Sequence, residues 1–238
     1  MLETIKRIFY PKRCSLCKEI IPINQKECNC QKDEFRSYGL NFCNSCGGEK
    51  GACRCHEAGN IRLENVTAPY VYTDRARRMI TRLKFHGEKD YADFFSLKMS
   101  IHFAMAYPFA EPDLITFVPI TKARKKERGY NQSELMAQGI GKRLLIPCVD
   151  VLEKTKETPP QHTLTLKERK ENLVDVFFVT NEEAVRNKTV ILCDDVKTTG
   201  VTLMRCCEEL YKAGAKEIFC LCATVSDYSD PFSLDNRK

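Results

Sequence analysis

The sequence predicts an α/β fold in which a parallel sheet is flanked by helices, preceded by a small cysteine-rich module. Two observations support this prediction. From about residue 64 onward, short apolar runs alternate with segments of helical spacing, which is the pattern of a parallel sheet connected by helices. Before that point the chain holds eight of its fourteen cysteines and no periodic apolar face. We therefore expect a zinc-ribbon-like module at residues 1–60 and a larger domain at residues 61–238.

The larger domain divides into strands and helices in chain order. Short apolar runs predict strands at residues 66–72, 114–118, 149–152, 174–179, 189–193 and 218–225. Apolar residues at helical spacing predict a helix after Asp74, helices at 88–106 and 131–145, and one that runs through residue 213. Asp74 is the expected N-cap of the first helix, and Gly214 is expected to end the last. The polar residues 154–172 are expected to form a long surface loop.

The composition restricts the class of protein. The chain has 238 residues and a formal net charge of +6. No stretch approaches the roughly 20 apolar residues that span a bilayer, and the first residues do not form a secretory signal. We therefore expect a soluble cytoplasmic protein. In a reducing compartment, a high density of cysteines indicates metal binding rather than disulfides.

The eight early cysteines form four close pairs. A C-x-x-C turn places two thiolates on one side of a tight loop, and two such pairs make a tetrahedral site for zinc. The order of the pairs predicts two structural zinc sites, the first at Cys14, Cys17, Cys28 and Cys30 and the second at Cys43, Cys46, Cys53 and Cys55.

Other ligand sets remain open. His56 could replace Cys55, and one zinc ion could be bound by Cys14, Cys17, Cys43 and Cys46. Two fully loaded sites would lower the net charge of the chain, since each ion with four thiolates is an anion. The overall basic charge is therefore a weak indication of nucleic-acid binding, and only local basic clusters keep weight.

The residues with the most information on function are 190–202, which read VILCDDVKTTGVT. A buried strand ends in two carboxylates, a Thr/Gly loop follows, and a helix begins. Backbone N–H groups and the positive end of a helix dipole would surround one point in this loop, which suits a phosphate. Asp194 and Asp195 would face whatever the phosphate is attached to, and two adjacent acceptors suit a vicinal diol. A ribose 5-phosphate satisfies both ends.

The stretch DDVKTTGVT resembles the phosphoribosyl pyrophosphate motif of type I phosphoribosyltransferases. Three further segments are similar to the ComF family: YTDRARRMITRLKFHG, FVPITKARKKERGYNQ, and the segment that holds Gln161, Arg169 and Asn172. The chain departs from that family at three points. The second cysteine pair of each unit is C-x-C where the family typically has C-x-x-C, position 120 is isoleucine where a second proline is usual, and Lys197 stands where an apolar or aromatic residue is frequent.

The resemblance implies a type I phosphoribosyltransferase fold and a set of site residues. Asp194 and Asp195 would hold the ribose hydroxyls, partly through Mg²⁺, and the loop at residues 158–172 would close over the site with Arg169 at its tip. The residues that would bind the 5-phosphate, the pyrophosphate or the acceptor are Lys197, Thr198, Thr199, Gly200, Val201, Thr202, Pro119, Thr121, Lys122, Arg124, Arg128, Asn131 and Gln132.

Three functions are compatible with these features. The first is a phosphoribosyltransferase, in which pyrophosphate leaves the ribose and an acceptor that the sequence does not identify takes its place. The second, implied by the association of the ComF family with natural transformation, is a DNA-uptake factor that binds single-stranded DNA through the zinc module and basic segments at residues 75–89 and 122–128. The third is a sensor that binds phosphoribosyl pyrophosphate without turnover. Fold alone does not choose among them.

Overall fold

A computed structural model describes residues 10–14, 19–25, 41–53, 55, 63–157 and 176–226. Its main feature is a five-stranded parallel sheet, which confirms the predicted fold class. The strands of this sheet are β1 (Val66–Thr67), β2 (Tyr70–Val71), β3 (Leu114–Phe117), β6 (Thr189–Lys197) and β7 (Glu217–Val225). The order is β1-β7-β6-β3, and β2 also pairs with β7. A separate antiparallel pair consists of β4 (Leu152–Lys154) and β5 (Phe177–Val179).

Helices cover both faces of the sheet. They are α1 (Asp74–Phe85), α2 (Asp90–Ala106), α3 (Lys122–Arg128), α4 (Gln132–Leu144) and α5 (Val201–Lys212). On one face, Met79, Phe95 and Ile140 from α1, α2 and α4 belong to a single buried core. On the other, Leu203 and Leu210 of α5 belong to a second core. Burial on both faces explains why residues 190–193 of β6 and 218–223 of β7 are continuously apolar instead of alternating.

The structure corrects several predicted boundaries. The strand expected at residues 66–72 is two short strands, both paired with β7. The strand expected at residues 189–193 continues to Lys197, because β7 offers a partner as far as Val225. The strand expected at residues 149–152 shares only Leu152 with β4, while the Val149 amide donates to the Ile115 carbonyl of β3. The described part of the segment expected at 174–179 contains β5, and β4 and β5 pair with each other. Finally, the N-cap of α1 is Thr73 and not Asp74, since the Thr73 side chain accepts a hydrogen bond from the amide of Ala76.

The described part of the cysteine-rich segment packs against the edge of the sheet. The Leu63 amide donates to the carbonyl of Ser45 over 3.1 Å, and the Val66 amide donates to the carbonyl of Asn44 over 2.7 Å. The turn that holds Cys43 and Cys46 therefore lies directly beside β1. None of the helices in the described ranges is long and apolar enough to cross a membrane.

Candidate functional site

Four cysteines meet in the described part of the cysteine-rich segment. Cys43 and Cys46 lie at the two ends of a tight turn closed by a 3.2 Å hydrogen bond from the Cys46 amide to the Cys43 carbonyl. A short 3₁₀ helix, Lys50–Ala52, then leads to Cys53 and Cys55. The four sulfur atoms all lie within 4.8 Å of one another. We call these four residues the cysteine cluster.

The cysteine cluster fits a tetrahedral metal site. Zinc–sulfur bonds of 2.3 Å place thiolates about 3.8 Å apart. The Sγ distances are 3.6 Å from Cys43 to Cys55, 3.5 Å from Cys46 to Cys53 and 3.1 Å from Cys53 to Cys55. Burial raises the pKa of Cys46 well above its usual value and that of Cys55 to about 12. Burial acts in the same direction on Cys43, but hydrogen bonds from the Ser45 backbone and from Cys53 and Cys55 lower its pKa to about 7.

This cluster is the second of the two predicted sites. Both cysteines of the C-x-C pair, Cys53 and Cys55, belong to the cluster. Cys55 therefore occupies the ligand position for which His56 was the alternative. Of the first predicted site only Cys14 is described; it is buried in the main core and is not part of the cluster. The single-site alternative that joins Cys14 to Cys43 and Cys46 is therefore not the grouping found. Cys17, Cys28, Cys30 and His56 lie outside the described residues.

A second constellation lies at the carboxyl end of β6. Asp194 and Asp195 are inside the strand and are 8% and 4% exposed. The Ser133 hydroxyl donates to Asp194 Oδ1 over 3.1 Å, and the Asp195 amide donates to the same oxygen over 2.8 Å. The Lys84 ammonium lies 2.6 Å from Asp195 Oδ2. The pair therefore has one cation and two hydrogen-bond donors to compensate for its burial.

The two carboxylates compete for ionisation. Burial, together with the negative charge of Asp195, raises the pKa of Asp194 to about 7, while Lys84 and the two donors oppose this rise. Two carboxyl groups held this closely bind a proton more readily than either would alone. A cation brought to the pair would favour the doubly ionised form, so the arrangement suits the binding of a divalent ion or of hydroxyl donors.

An open helix N-terminus follows the carboxylates. Gly200 adopts a left-handed conformation with φ of +85° and is the N-cap of α5, with no side chain that caps the helix. The Thr199 hydroxyl is buried and has no hydrogen-bond partner among the residues that the structure describes. Thr198 and Thr202 are partly exposed beside it. A helix N-terminus with neighbouring hydroxyls is an anion-binding arrangement.

The segment after β3 lies next to this loop, since β3 and β6 are parallel neighbours and the Val118 amide donates to the Cys193 carbonyl. Pro119 is buried in this segment. Thr121 caps α3 by accepting from the Arg124 amide over 3.3 Å, and its hydroxyl donates to Glu157. The basic segment at residues 122–128 is thus a short helix. Lys122 pairs with Glu153 over 2.6 Å and the Arg124 guanidinium lies 3.4 Å from Glu157.

Two of the predicted binding residues position the backbone. The Asn131 side chain donates to the Val118 carbonyl over 3.0 Å and accepts from the Ser133 amide, so it joins the end of β3 to the start of α4. Gln132 is buried and accepts a hydrogen bond from Arg128. Lys197 is only 1% exposed, whereas Thr198, Thr199 and Thr202 of the predicted phosphate loop are partly exposed. Arg169 lies outside the described residues.

Three residues of this region were not among the predicted site residues. Lys84 belongs to the segment that carried the family resemblance, yet no spacing rule marks it as the partner of Asp195. Ser133 has no motif of its own. Phe85 is 69% exposed, and the Arg128 guanidinium lies 5.2 Å from the centre of its ring. Phe85 lies in the same segment as Lys84, but no local pattern predicts that its ring is exposed or that it faces Arg128.

The chain is similar to known proteins. Residues 128–231 match the family described as phosphoribosyl transferase domain. Competence protein ComFC of Bacillus subtilis (strain 168) is 27% identical over 210 residues, which cover 83% of this chain and 84% of that protein. Competence protein F of Haemophilus influenzae is 29% identical over 88% of this chain and 95% of that protein. DNA utilization protein YhgH of Escherichia coli (strain K12) is 31% identical over 62% of this chain and 66% of that protein.

Proposed function

Because the chain belongs with the ComF-type competence proteins and contains a type I phosphoribosyltransferase domain, we propose that it binds phosphoribosyl pyrophosphate or a related ribose 5-phosphate. The observation that supports this most directly is the order of two chemical features along the chain. A buried carboxylate pair at Asp194 and Asp195 is followed within five residues by the open N-terminus of α5. A diol and a phosphate at the two ends of one ribose match these two elements.

Each part of the site has a proposed role. The backbone amides at Thr198–Thr202 and the Thr199 hydroxyl hold the 5-phosphate, as helix N-termini commonly do. Asp194 and Asp195 accept hydrogen bonds from the ribose hydroxyls. Their oxygen atoms are also the ligands that Mg²⁺ prefers. When bound, Mg²⁺ supplies positive charge that stabilises pyrophosphate as a leaving group.

Pyrophosphate is proposed to lie against the segment after β3. Pro119, Thr121 and Lys122 provide the loop, and Arg124 and Arg128 provide cations on α3 and at its end. In transfer, the bond between C1 of the ribose and pyrophosphate breaks and a nucleophilic acceptor forms the new bond to C1. Such a reaction requires positioning and charge stabilisation rather than a nucleophile from the protein. Residues 158–172, with Arg169, are proposed to cover the site and exclude water.

The cysteine cluster is proposed to hold a structural zinc ion. Four thiolate ligands leave no open coordination position, so this ion would stabilise the fold and would not take part in chemistry. We propose a second zinc ion at Cys14, Cys17, Cys28 and Cys30 on the spacing of these residues alone. The protein is proposed to act in the cytoplasm during DNA uptake, the process that the names of the competence relatives indicate.

Single-stranded DNA binding is a second candidate, and the pair Phe85 and Arg128 favours it. An exposed ring that faces a guanidinium can stack a nucleobase, and one such contact is worth about 1–3 kcal/mol. The same ring could instead receive the base of a small acceptor. DNA contacts through several phosphates weaken steeply with salt, whereas binding of one small ligand does not show the same slope. A sensor that binds the ribose phosphate without turnover would share the site and differ only in lacking transfer.

The test is calorimetry with phosphoribosyl pyrophosphate and Mg²⁺ on the folded, metal-loaded protein. We expect saturable binding to the wild type and none to the Asp194→Asn/Asp195→Asn variant. Glu208→Gln is the control, because Glu208 lies on α5 with a side chain that is 42% exposed and pairs with Arg205. No binding to the wild type would exclude this proposal and leave DNA binding as the leading function. Binding that survives in the double variant would exclude Asp194 and Asp195 as its site.

A further inference from the structure

Helix α2 has apolar side chains on two opposite faces. One face is buried in the main core, and its residues recur at every fourth position: Tyr91, Phe95, Met99 and Phe103. The opposite face has the same spacing but is open to solvent. On that face Leu97 is 42% exposed, Ile101 is 49% exposed and Met105 is 58% exposed. A helix that is apolar on all sides is normally buried on all sides, so this face indicates a contact with another molecule.

The exposed apolar residues continue past the end of the helix. Phe109 follows Met105 at the same spacing, just after α2, and is 95% exposed. Residues 99–110 contain no aspartate, glutamate, lysine or arginine, although 29% of the whole chain is charged. Such an uncharged exposed run is typical of an interaction surface. We call the following four residues the α2 stripe: Leu97, Ile101, Met105 and Phe109.

The α2 stripe is large enough to form the centre of an interface. With roughly 200 Å² for each fully exposed side chain, the four exposed fractions correspond to roughly 500 Å² on one chain. A stable interface buries about 800 Å² per partner, which includes a polar rim around the apolar centre. The stripe therefore supplies the apolar part of a standard interface, and the residues around it would supply the rim.

The end of the stripe near Leu97 is positively charged. Lys98 lies beside it on α2, with its ammonium 6.0 Å from the centre of the Phe94 ring. Asp93 lies one turn earlier, but its carboxylate is 2.6 Å from the Arg143 guanidinium, which compensates its charge. The charge of Lys98 therefore sets the sign at this end.

The end of the stripe near Phe109 has the opposite sign. Glu111 is exposed just after Phe109. Asp113 is compensated by Lys188, whose ammonium lies 3.2 Å from its carboxylate. An apolar stripe with a cation at one end and an anion at the other is complementary to a second copy of itself that runs in the opposite direction.

We propose that the α2 stripe binds the same stripe of a second copy of this chain, with the two α2 helices antiparallel. In a two-fold interface the same surface of both chains meets itself, so every contact occurs twice. Leu97 then meets Phe109 of the second copy, and Ile101 meets Met105. Lys98 approaches Glu111 of the second copy, whereas a parallel arrangement would bring like charges together at both ends.

This pairing is independent of the proposed ribose phosphate site. The C-terminal end of α2 leads to the first residue of β3, while Asp194 and Asp195 lie at the carboxyl end of the neighbouring parallel strand. The middle and the C-terminal end of the stripe therefore lie away from the carboxylate pair. Variants of the stripe should bind phosphoribosyl pyrophosphate as the wild type does.

The test is sedimentation equilibrium of the full, metal-loaded chain over a wide range of concentration. We expect the wild type to reach twice the mass of one chain. Ile101→Glu should raise the dissociation constant about 100-fold or more, because two carboxylates would be buried without a partner. Tyr211→Glu is the matched control, since Tyr211 is 43% exposed on α5, which covers the other face of the sheet. This control should associate as the wild type does.

The antiparallel arrangement has its own test in the charges at the two ends. Lys98→Glu should raise the dissociation constant about three- to tenfold, because it places a carboxylate near Glu111 of the second copy. The double variant Lys98→Glu/Glu111→Lys exchanges the two charges and should restore the affinity of the wild type. A double variant that associates no more tightly than Lys98→Glu would contradict the antiparallel arrangement.

A wild type that stays monomeric at all concentrations would overturn the proposal. Association that persists unchanged in Ile101→Glu would do the same. If Ile101→Glu does not fold, Met105→Glu repeats the test at a more exposed position, and unchanged association there has the same meaning. A monomeric wild type that floats with phosphatidylcholine vesicles, where Met105→Glu does not, would assign the stripe to a lipid surface instead of a second copy.

Discussion

Replacement of Lys84 by methionine should destabilise the protein through the carboxylate pair. The Lys84 ammonium lies 2.6 Å from Asp195, whose side chain is 5% exposed. Removal of one partner of a buried ion pair typically costs about 3–5 kcal/mol, because the remaining charge is uncompensated. Lys84 itself is 26% exposed, which reduces the effect. We therefore expect a loss of about 2–3 kcal/mol in the free energy of unfolding at pH 8, or roughly 4–12 °C in Tm.

The size of this loss should depend on pH. Burial and the charge of Asp195 raise the pKa of Asp194 to about 7, and Lys84 opposes the rise. When the pKa of an acid is higher in the folded state than in the unfolded state, the free energy of unfolding of the protein falls as the pH rises from the unfolded-state pKa to the folded-state pKa. Without Lys84 this pKa rises further, and the loss continues to higher pH. The deficit of the variant should therefore be largest above pH 7 and smallest near pH 5.

Urea unfolding of the metal-loaded protein at pH 5 and pH 8.5 measures both effects. The control is Lys84→Met/Asp195→Asn, which removes both charges and should recover most of the lost stability. A single variant as stable as the wild type at pH 8.5, or a double variant no more stable than the single one, would refute the assignment of Lys84 as the compensating cation.

Three other predictions concern the same two sites. Affinity for phosphoribosyl pyrophosphate with Mg²⁺ should fall as the pH falls through about 7, because a protonated Asp194 is a poorer acceptor; calorimetry across this range should show the fall in the wild type and a flat profile for Asp194→Asn. Cys53→Ser should reduce bound zinc by about one ion per chain in elemental analysis, whereas Cys148→Ser, which lies outside the cluster, should not. Gly47→Ala should destabilise the protein by about 1–2 kcal/mol in urea unfolding, because Gly47 has φ of +72° and a β-carbon there would lie 3.0 Å from a valine methyl. Gly51→Ala, with no atom within 4 Å of the added carbon, should change stability little, and an equal loss in both variants would contradict the steric explanation.

The sequence predicted best what is set by short spacing. The cysteine pairs at 43–46 and 53–55 lie close along the chain, so their meeting required only local turns. The alternation of strands and helices predicted the parallel sheet for a similar reason, because helical and strand periodicities are local properties. His56 remained open as an alternative to Cys55 because a C-x-C pair of Cys53 with Cys55 and a C-x-x-H pair of Cys53 with His56 differ little in reach.

Contacts between elements that are far apart in the sequence could not be predicted from such local patterns. The partner of Asp195 is a lysine on α1, more than a hundred positions earlier, and helical spacing reveals only which face of α1 is apolar. The end of β6 was placed too early for a related reason. Asp194 and Asp195 resemble loop residues in isolation, and they are tolerated in a buried strand because Ser133 and Lys84 compensate them. Periodicity does not specify which strands pair with each other, so it did not predict the antiparallel pairing of β4 with β5.

That antiparallel pair has a consequence for how the chain can vary. Lys154 stands opposite Phe177, and the Thr155 amide donates to the Val176 carbonyl over 3.0 Å. The segment between β4 and β5, which includes Arg169, therefore starts and ends at neighbouring points. Doubling the length of a chain that starts and ends at fixed neighbouring points adds only about 0.6 kcal/mol of closure entropy. Insertions, deletions or whole exchanges between these strands would leave the register of the parallel sheet untouched, so homologues could differ in this segment while they retain the strands that carry Asp194 and Asp195.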